Sequence, residues 1–455
     1  MGITTELASY CASLRLADLP PEVVVRTRQL VLDLVGNIVR GRHDSESTPA
    51  LLAAARALGL TGGACHVFAD ADGYTPAGAA FLNGAFAHSL DFDDTHAAAS
   101  LHPGAPVIPA ALAAAEMTGA SGETVLAAIV AGYEVVLRIA LALPAGAHYD
   151  RGFHPTATCG AFGAAAAAAR VFGLDAAGME NALGIALSQS SGSLQFLANG
   201  AWTKRFQVGW AAMAGLTAAT LAREGFRGAS EALEGRLGFL QAYAPSPTPS
   251  RVTQDLGTVF ELMATAVKPY PSCRYGHAGI DAVLALRAEY NLKPEEVESI
   301  TYGLSNAGLL LVGVPAEKRA NPQNVVDAQF SGPFVLSCAL ATGAIRWDSY
   351  SELQNPAVRG LLSKVECVHD AKMQAEFPTN MSGTITIRAR GQDFTRETLV
   401  PKGEPVNFLT DDELRAKFMG LTVPVLGGAP AAQLADALLR FETAPDIAGM
   451  FAHAA

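Results

Sequence analysis

Apolar positions recur along most of the chain at the three-to-four-residue spacing of an amphipathic helix. Pro20-Pro21-Glu22 makes a helix start, and Val24, Val31, Leu34 and Val35 follow at helical spacing, which predicts a helix over 20–40. Gly36 on that helix permits close packing. Ala-rich helical patterns, punctuated by Gly or Pro, also cover 46–59, 77–90, 105–117 and 122–141. The clearest helix spans 156–172, with Thr156 or Thr158 as its cap, and others are predicted over 175–191, 204–223 and 228–239. Pro245, Pro247 and Pro249 mark a loop over 244–250, since closely spaced prolines cannot be helical. After about residue 266 the pattern changes. Ile300, Tyr302 and Leu304, then Ile385, Ile387 and Ala389, alternate as strands do, between helical patterns at 277–290 and 327–343. Helical character returns from about 403, with Thr410-Asp411-Asp412-Glu413 as a cap and first turn. The predicted fold is mainly α: a large all-helical domain, 1–265 completed by 403–455, with an inserted smaller α+β lid domain over 266–402. Such junctions would flank a cleft, where ligand sites tend to lie.

Composition narrows the class. A chain of 455 residues with 50% hydrophobic and 16% charged residues has ample core for two or three domains and does not read as disordered. Alanine dominates the apolar set and aromatics are only 7%, which favours helices further. A net charge of -11 argues against nucleic acid as a partner, so an anion site must be a local basic cluster. Cys11, Cys65, Cys159, Cys273, Cys338 and Cys367 form no CxxC pair, which opposes a disulfide framework or structural zinc and fits a cytoplasmic protein. The N-terminus has no secretory pattern, and Glu6 stands where myristoylation needs Ser or Thr. No apolar stretch is expected to be long enough to span a bilayer, the Ala-rich run ending at Arg170 coming closest, so no membrane partner is expected.

Four clusters stand out as candidate chemistry. The first is His88-Ser-Leu-Asp91-Phe-Asp93-Asp94-Thr95-His96, followed by His102-Pro103-Gly104. Its bland alternative is a helix end and solvated loop. His and Asp also suit divalent ions, and Asp93-Asp94 is similar to the aspartate-rich magnesium motif of isoprenoid synthases. That motif needs a further Asp near His96-Ala97-Ala98 and a second acidic motif elsewhere; neither is found, so no metal is expected. The second cluster, Gly152-Phe153-His154-Pro155-Thr156, places a His just before a long helix, where free N–H groups favour an anion. Packing at a helix start is the alternative for a lone His. In the third, Lys204 and Arg205 sit at a helix start, opposing the helix dipole, which hints at an offsetting anion; an ordinary surface pair is the alternative, above all for Arg205. The fourth, Lys268-Pro-Tyr-Pro-Ser-Cys273-Arg274-Tyr-Gly-His277, is a stiff segment and reads as a hinge that also carries site residues.

In this order and at these separations the clusters resemble the MmgE/PrpD family. The matching stretches are Asn83-Gly84 through Thr95, His102-Pro103, Gly152 through Thr156, Thr203-Lys204, Gly209 through Gly215 and Lys268 through His277, with weaker similarity reaching Leu409 through Leu414. The resemblance implies a homodimer, an all-helical domain with an α+β lid, and no cofactor, metal or iron–sulfur cluster. It implies a small polycarboxylate as substrate. Family members dehydrate 2-methylcitrate, decarboxylate cis-aconitate or epimerise iminodisuccinate, all by labilising a bond next to a carboxylate. Carried onto this chain, the catalytic set is Asp91, His102, His154, Lys204 and Lys268. Thr95, Gln207, Cys273, Arg274 and His277 would bind substrate. Gln207 stands where similar members commonly carry His, and Cys273 where the decarboxylase has His and the epimerase Cys, which argues against a strict decarboxylase. The expected reaction is dehydration by α-proton abstraction, with epimerisation, decarboxylation and non-catalytic polycarboxylate binding as alternatives. Lys204 and Lys268 would hold carboxylates, and His102 and His154 would share the roles of base and acid. Asp91 would orient an imidazole, and Thr95 would hydrogen-bond substrate.

Overall fold

Helix starts are set by small capping groups and by proline. Pro21 opens the long helix α2 (Pro21–Asp44), after α1 (Ile3–Ser13) and before α3 (Thr48–Ala57). Thr75 caps α4 (Pro76–Ala87) by accepting from the Gly78 N–H at 3.1 Å. After α5 (Gly104–Thr118), Ser121 caps α6 (Gly122–Leu141) in the same way. Then come α7 (Ala145–Asp150), α8 (Pro155–Val171), α9 (Ala176–Leu187) and α10 (Thr203–Arg223). These elements come from a computed structural model that describes residues 2–451.

The chain divides into two compact units, Met1–Val267 with Asp411–Ala455, and Lys268–Thr410. In the first, α8 is buried along nearly its whole length among α5, α6, α9 and α10. Small residues make this possible: a Cβ on Gly163 would lie 2.8 Å from the Gly132 carbonyl oxygen, so α6 and α8 meet backbone to backbone. The unit is mainly α but not all-helical. It holds two short antiparallel ribbons, β1 (Thr61–His66) with β2 (Gly73–Tyr74), and β3 (Thr95–His96) with β4 (Thr265–Ala266). The second unit carries a four-stranded mixed sheet in the order β6 (Val365–His369), β5 (Val297–Leu304), β7 (Gly383–Ala389), β8 (Gln392–Thr398). Its core joins Ile300, Tyr302, Ile385 and Ile387 to Ile280, Val283 and Leu286 of helix His277–Tyr290.

Several expectations are corrected. Residues 228–238 form turns, not a helix, and only Phe239–Tyr243 is helical there. Gly228, Gly235 and Gly238 each cost about 1 kcal/mol in a helix, and Gly228 instead lies against the Asn181 carbonyl of α9. The 327–343 pattern is two helices, Val325–Gln329 and Gly332–Thr342, because Pro333 fits only a first turn, which Ser331 caps. Neither Thr156 nor Thr158 caps α8: the chain enters it through His154 and Pro155, and both threonines lie inside. Finally, α6 does reach bilayer-spanning length and apolarity, contrary to expectation. It is mostly buried, and Arg138 on it donates to Glu134 at 2.8 Å and to the Gln254 and Val259 carbonyls at 2.6 Å each. A buried ion pair so fully hydrogen-bonded is tolerated in a protein core.

Candidate active site

Between α4 and α5 the chain runs irregularly through residues 88–103. Asp91 sits in the left-handed region at φ 53, which Asp tolerates better than most residues. The next two carboxylates, Asp93 and Asp94, are buried. Asp93 Oδ2 lies 2.7 Å from His88 Nδ1 and 3.3 Å from His102 Nδ1. The His88 and His102 rings meet edge to face at 4.6 Å, and His154 stands 5.9 Å from His88. Burial by itself would raise the Asp93 carboxyl, but His102 and His88 outweigh it and hold it well below the usual carboxylate range. An ionised carboxylate only accepts, so His88 presents Nδ1–H to it. Burial lowers His88 to about 4, against the pull of Asp93, so this ring is neutral near pH 7.

Asp94 behaves oppositely. Burial, then the neighbouring Asp93 and Asp33 charges, push it to about 8 despite its 2.7 Å hydrogen bond with Tyr133 Oη. It also accepts from the Gly104 N–H at 3.1 Å, which ties it to the start of α5.

α10 brings Lys204 to this segment. Lys204 Nζ lies 2.7 Å from Asp91 Oδ1, and the same oxygen is 3.9 Å from His102 Nε2. Burial pulls the ammonium down, but Asp91 and Asp93 more than offset it and hold its pKa above the ordinary value. The cation at the helix start therefore has an anion inside the chain. Arg205 takes the bland alternative, donating to the Ser45 and Ser47 hydroxyls at 2.6 and 3.2 Å. His154, buried at the start of α8, has Nδ1 3.0 Å from Gln207 Oε1. Burial first, and then the neighbouring basic groups His88 and Lys204, keep His154 well below 6.5. The Thr156 hydroxyl accepts from the His102 N–H at 3.1 Å, fastening that segment to α8.

The first unit thus gathers Asp91, His102, His154, Lys204 and Gln207. Thr95 lies on β3 of the same segment, its hydroxyl buried without a protein partner. Two assignments change. Asp93, not Asp91, is the carboxylate within hydrogen-bond range of imidazole nitrogens, and Asp91 instead holds Lys204. Gln207 is committed at both ends, to His154 and, through Nε2, to the Ser193 carbonyl at 2.9 Å. His88 and Asp93 lie outside the site set expected from the sequence, where Asp93 enters only through the rejected magnesium motif, because their five-residue spacing across a helix end follows no period. Among the described residues His88, Asp93 and His102 offer donor atoms within 4.8 Å of one another, as a metal site would, and the same contacts suit a carboxylate facing two imidazole N–H groups.

Lys268, Cys273, Arg274 and His277 belong to the second unit. Lys268 and Cys273 are buried there. Arg274 pairs with Glu404, and His277 Nε2 lies 3.2 Å from the Ser272 carbonyl, so both have structural partners within the unit.

Residues 5–252 match the MmgE/PrpD N-terminal domain and residues 270–443 the MmgE/PrpD C-terminal domain. A cis-aconitate decarboxylase-like protein of Aspergillus oryzae is 29% identical over 477 residues, covering 99% of this chain and 97% of its own. The cis-aconitate decarboxylase of Aspergillus terreus is 27% identical, covering 98% and 94%. The human cis-aconitate decarboxylase is 30% identical over 395 residues, covering 80% and 76%.

Proposed function

Because the chain belongs to the MmgE/PrpD family, we propose that it is a lyase for a small tricarboxylate, and specifically a dehydratase of a 2-methylcitrate-like substrate. One observation carries the reading: two imidazoles, His102 and His154, lie in one cluster around His88, with Lys204 beside them. His154 is kept neutral by burial, while His102 lies beside the ionised Asp93. Elimination of water needs such a pair. His154 takes the proton from the carbon next to a carboxylate, the C–H electrons form the double bond, and the C–O bond breaks. The hydroxyl leaves as water with a proton delivered by His102, whose Nδ1 lies 3.3 Å from Asp93 Oδ2. The negative charge that builds on the substrate carboxylate meets Lys204. An ammonium has three N–H donors and Asp91 engages one of them. A cation in that place is worth about 3–4 kcal/mol if it acts like an oxyanion-hole donor.

Decarboxylation is the second reading, favoured by the names of the relatives. It needs a proton donor for carbon and no base. Incubation with 2-methylcitrate, citrate and cis-aconitate in deuterated water, followed by NMR, separates the two by loss of water or of CO2. His154→Ala is expected to lower turnover by about 10²–10⁴ and Lys204→Ala by about 10²–10³, with folding retained. Near-normal turnover in His154→Ala, or no reaction with any of the three substrates, sinks the proposal.

A further inference from the structure

We infer that Gln207 is a positioning residue that sets the tautomer of His154, forcing the proton onto Nδ1 and leaving the Nε2 lone pair as the basic atom. The Ser193 oxygen has no proton to give, and a Gln207 amide end lies 2.9 Å from it. That end must be the NH2 group. The amide is planar, so its other end, at 3.0 Å from His154 Nδ1, must be the oxygen. An amide oxygen only accepts. In a neutral imidazole one nitrogen donates and the other accepts, so Nδ1 carries the proton.

The backbone holds this relay in place. The Gly192 carbonyl accepts from the His154 N–H at 3.1 Å, and the Leu194 N–H donates to the Gly152 carbonyl at 2.8 Å. Phe153 and Ser193 form an isolated antiparallel bridge, so the carbonyl that orients Gln207 is tied to the residue preceding the imidazole. Gly192 has φ 153, and a Cβ there would lie 2.7 Å from the Ala157 methyl and 3.3 Å from Gln207 Oε1, so a side chain at 192 would crowd the amide. The other groups around His154 are His88, His102 and Lys204, all basic, and the Phe196 ring edge-on at 5.5 Å. Among the described residues, the hydrogen-bond partner of His154 Nδ1 is Gln207 Oε1.

The inference rests on the reading of His154 as the base, and its test separates the two. In the full chain labelled with 15N-histidine, long-range proton–nitrogen NMR assigns His154 by its disappearance in His154→Ala. The wild-type protein at pH 7 is expected to show a protonated Nδ1 and an unprotonated Nε2. Gln207→Leu is expected to move the ring toward the Nε2–H form and to lower kcat/KM about tenfold while leaving the other histidine signals in place, as loss of one positioned hydrogen bond does. Gln207→Glu is expected to raise the acid limb of the kcat/KM profile by about one pH unit, since a carboxylate favours the imidazolium. A wild-type ring protonated at Nε2, or a Gln207→Leu ring that keeps Nδ1–H, overturns the inference without any activity measurement. A wild-type Nδ1–H ring together with normal turnover in His154→Ala overturns the functional reading and leaves the tautomer standing.

Discussion

Asp93 and Asp94 are neighbours in the chain and differ in charge. Asp93 lies between two imidazoles and is held ionised, whereas Asp94 meets a phenol and a backbone N–H and is pushed to about 8. The pH dependence of stability follows from Asp94. Between its ordinary 3.8 and about 8 the folded protein holds a proton that the unfolded chain has released. Stability from this group is thus present at low pH and falls as pH rises through that window, by about 1.4 kcal/mol per unit for one whole proton. Asp94→Asn cannot ionise, and its amide can donate to Tyr133 Oη while still accepting from Gly104. Its stability relative to wild type should therefore rise between pH 5 and pH 8, as measured by urea unfolding at several pH values. A constant difference across that range would mean that Asp94 ionises normally. The residue types of this cluster were legible in the sequence. Which carboxylate would be charged was not, since that depends on the groups packed around each one.

At the scale of elements, the site depends on how closely α10 approaches α4. A Cβ on Gly209 would lie 2.3 Å from the Phe81 carbonyl oxygen, and one on Gly84 would lie 3.0 Å from Gly209 Cα. The two helices are therefore pressed backbone to backbone, and α10 carries Lys204 and Gln207. Gly209→Ala must push them apart. Overpacking of this kind costs about 1–3 kcal/mol, and the displacement separates Lys204 from Asp91. The variant should melt earlier and lose kcat/KM by more than its folded fraction explains, which thermal unfolding and steady-state kinetics together decide. Periodicity located α10 and α4 because helical spacing is a local property. It failed at 228–238, where glycines and contact with α9 override an apolar pattern, and at Phe330-Ser331, where a cap and Pro333 start a new helix.

At the scale of the molecule, the chain leaves the first unit at Val267 and rejoins it at Asp411. The change comes later than the expected 403 because Glu404 pairs with Arg274 and the Lys402 N–H donates to Asp281 at 2.7 Å, within the second unit. The returning helix, Asp411–Leu426, brings Lys417 to Asp33 at 2.5 Å and to the Phe92 carbonyl at 2.9 Å, beside the segment that carries Asp91 and Asp93. Lys417→Met would leave a buried carboxylate unpaired and should cost about 3–5 kcal/mol. Adding Asp33→Leu should recover much of that in denaturant titrations; a double variant no more stable than the single one would show that the pair is not what matters. The sequence by itself determined the helical class, the change of character after residue 266 and the basic and acidic residue types available for chemistry, because composition and period act locally. Only the tertiary structure decided that Asp93 meets the imidazoles, that Asp91 holds Lys204 and that Gln207 faces His154. Those pairings join residues as far as 113 positions apart, and their protonation follows from burial, which packing creates.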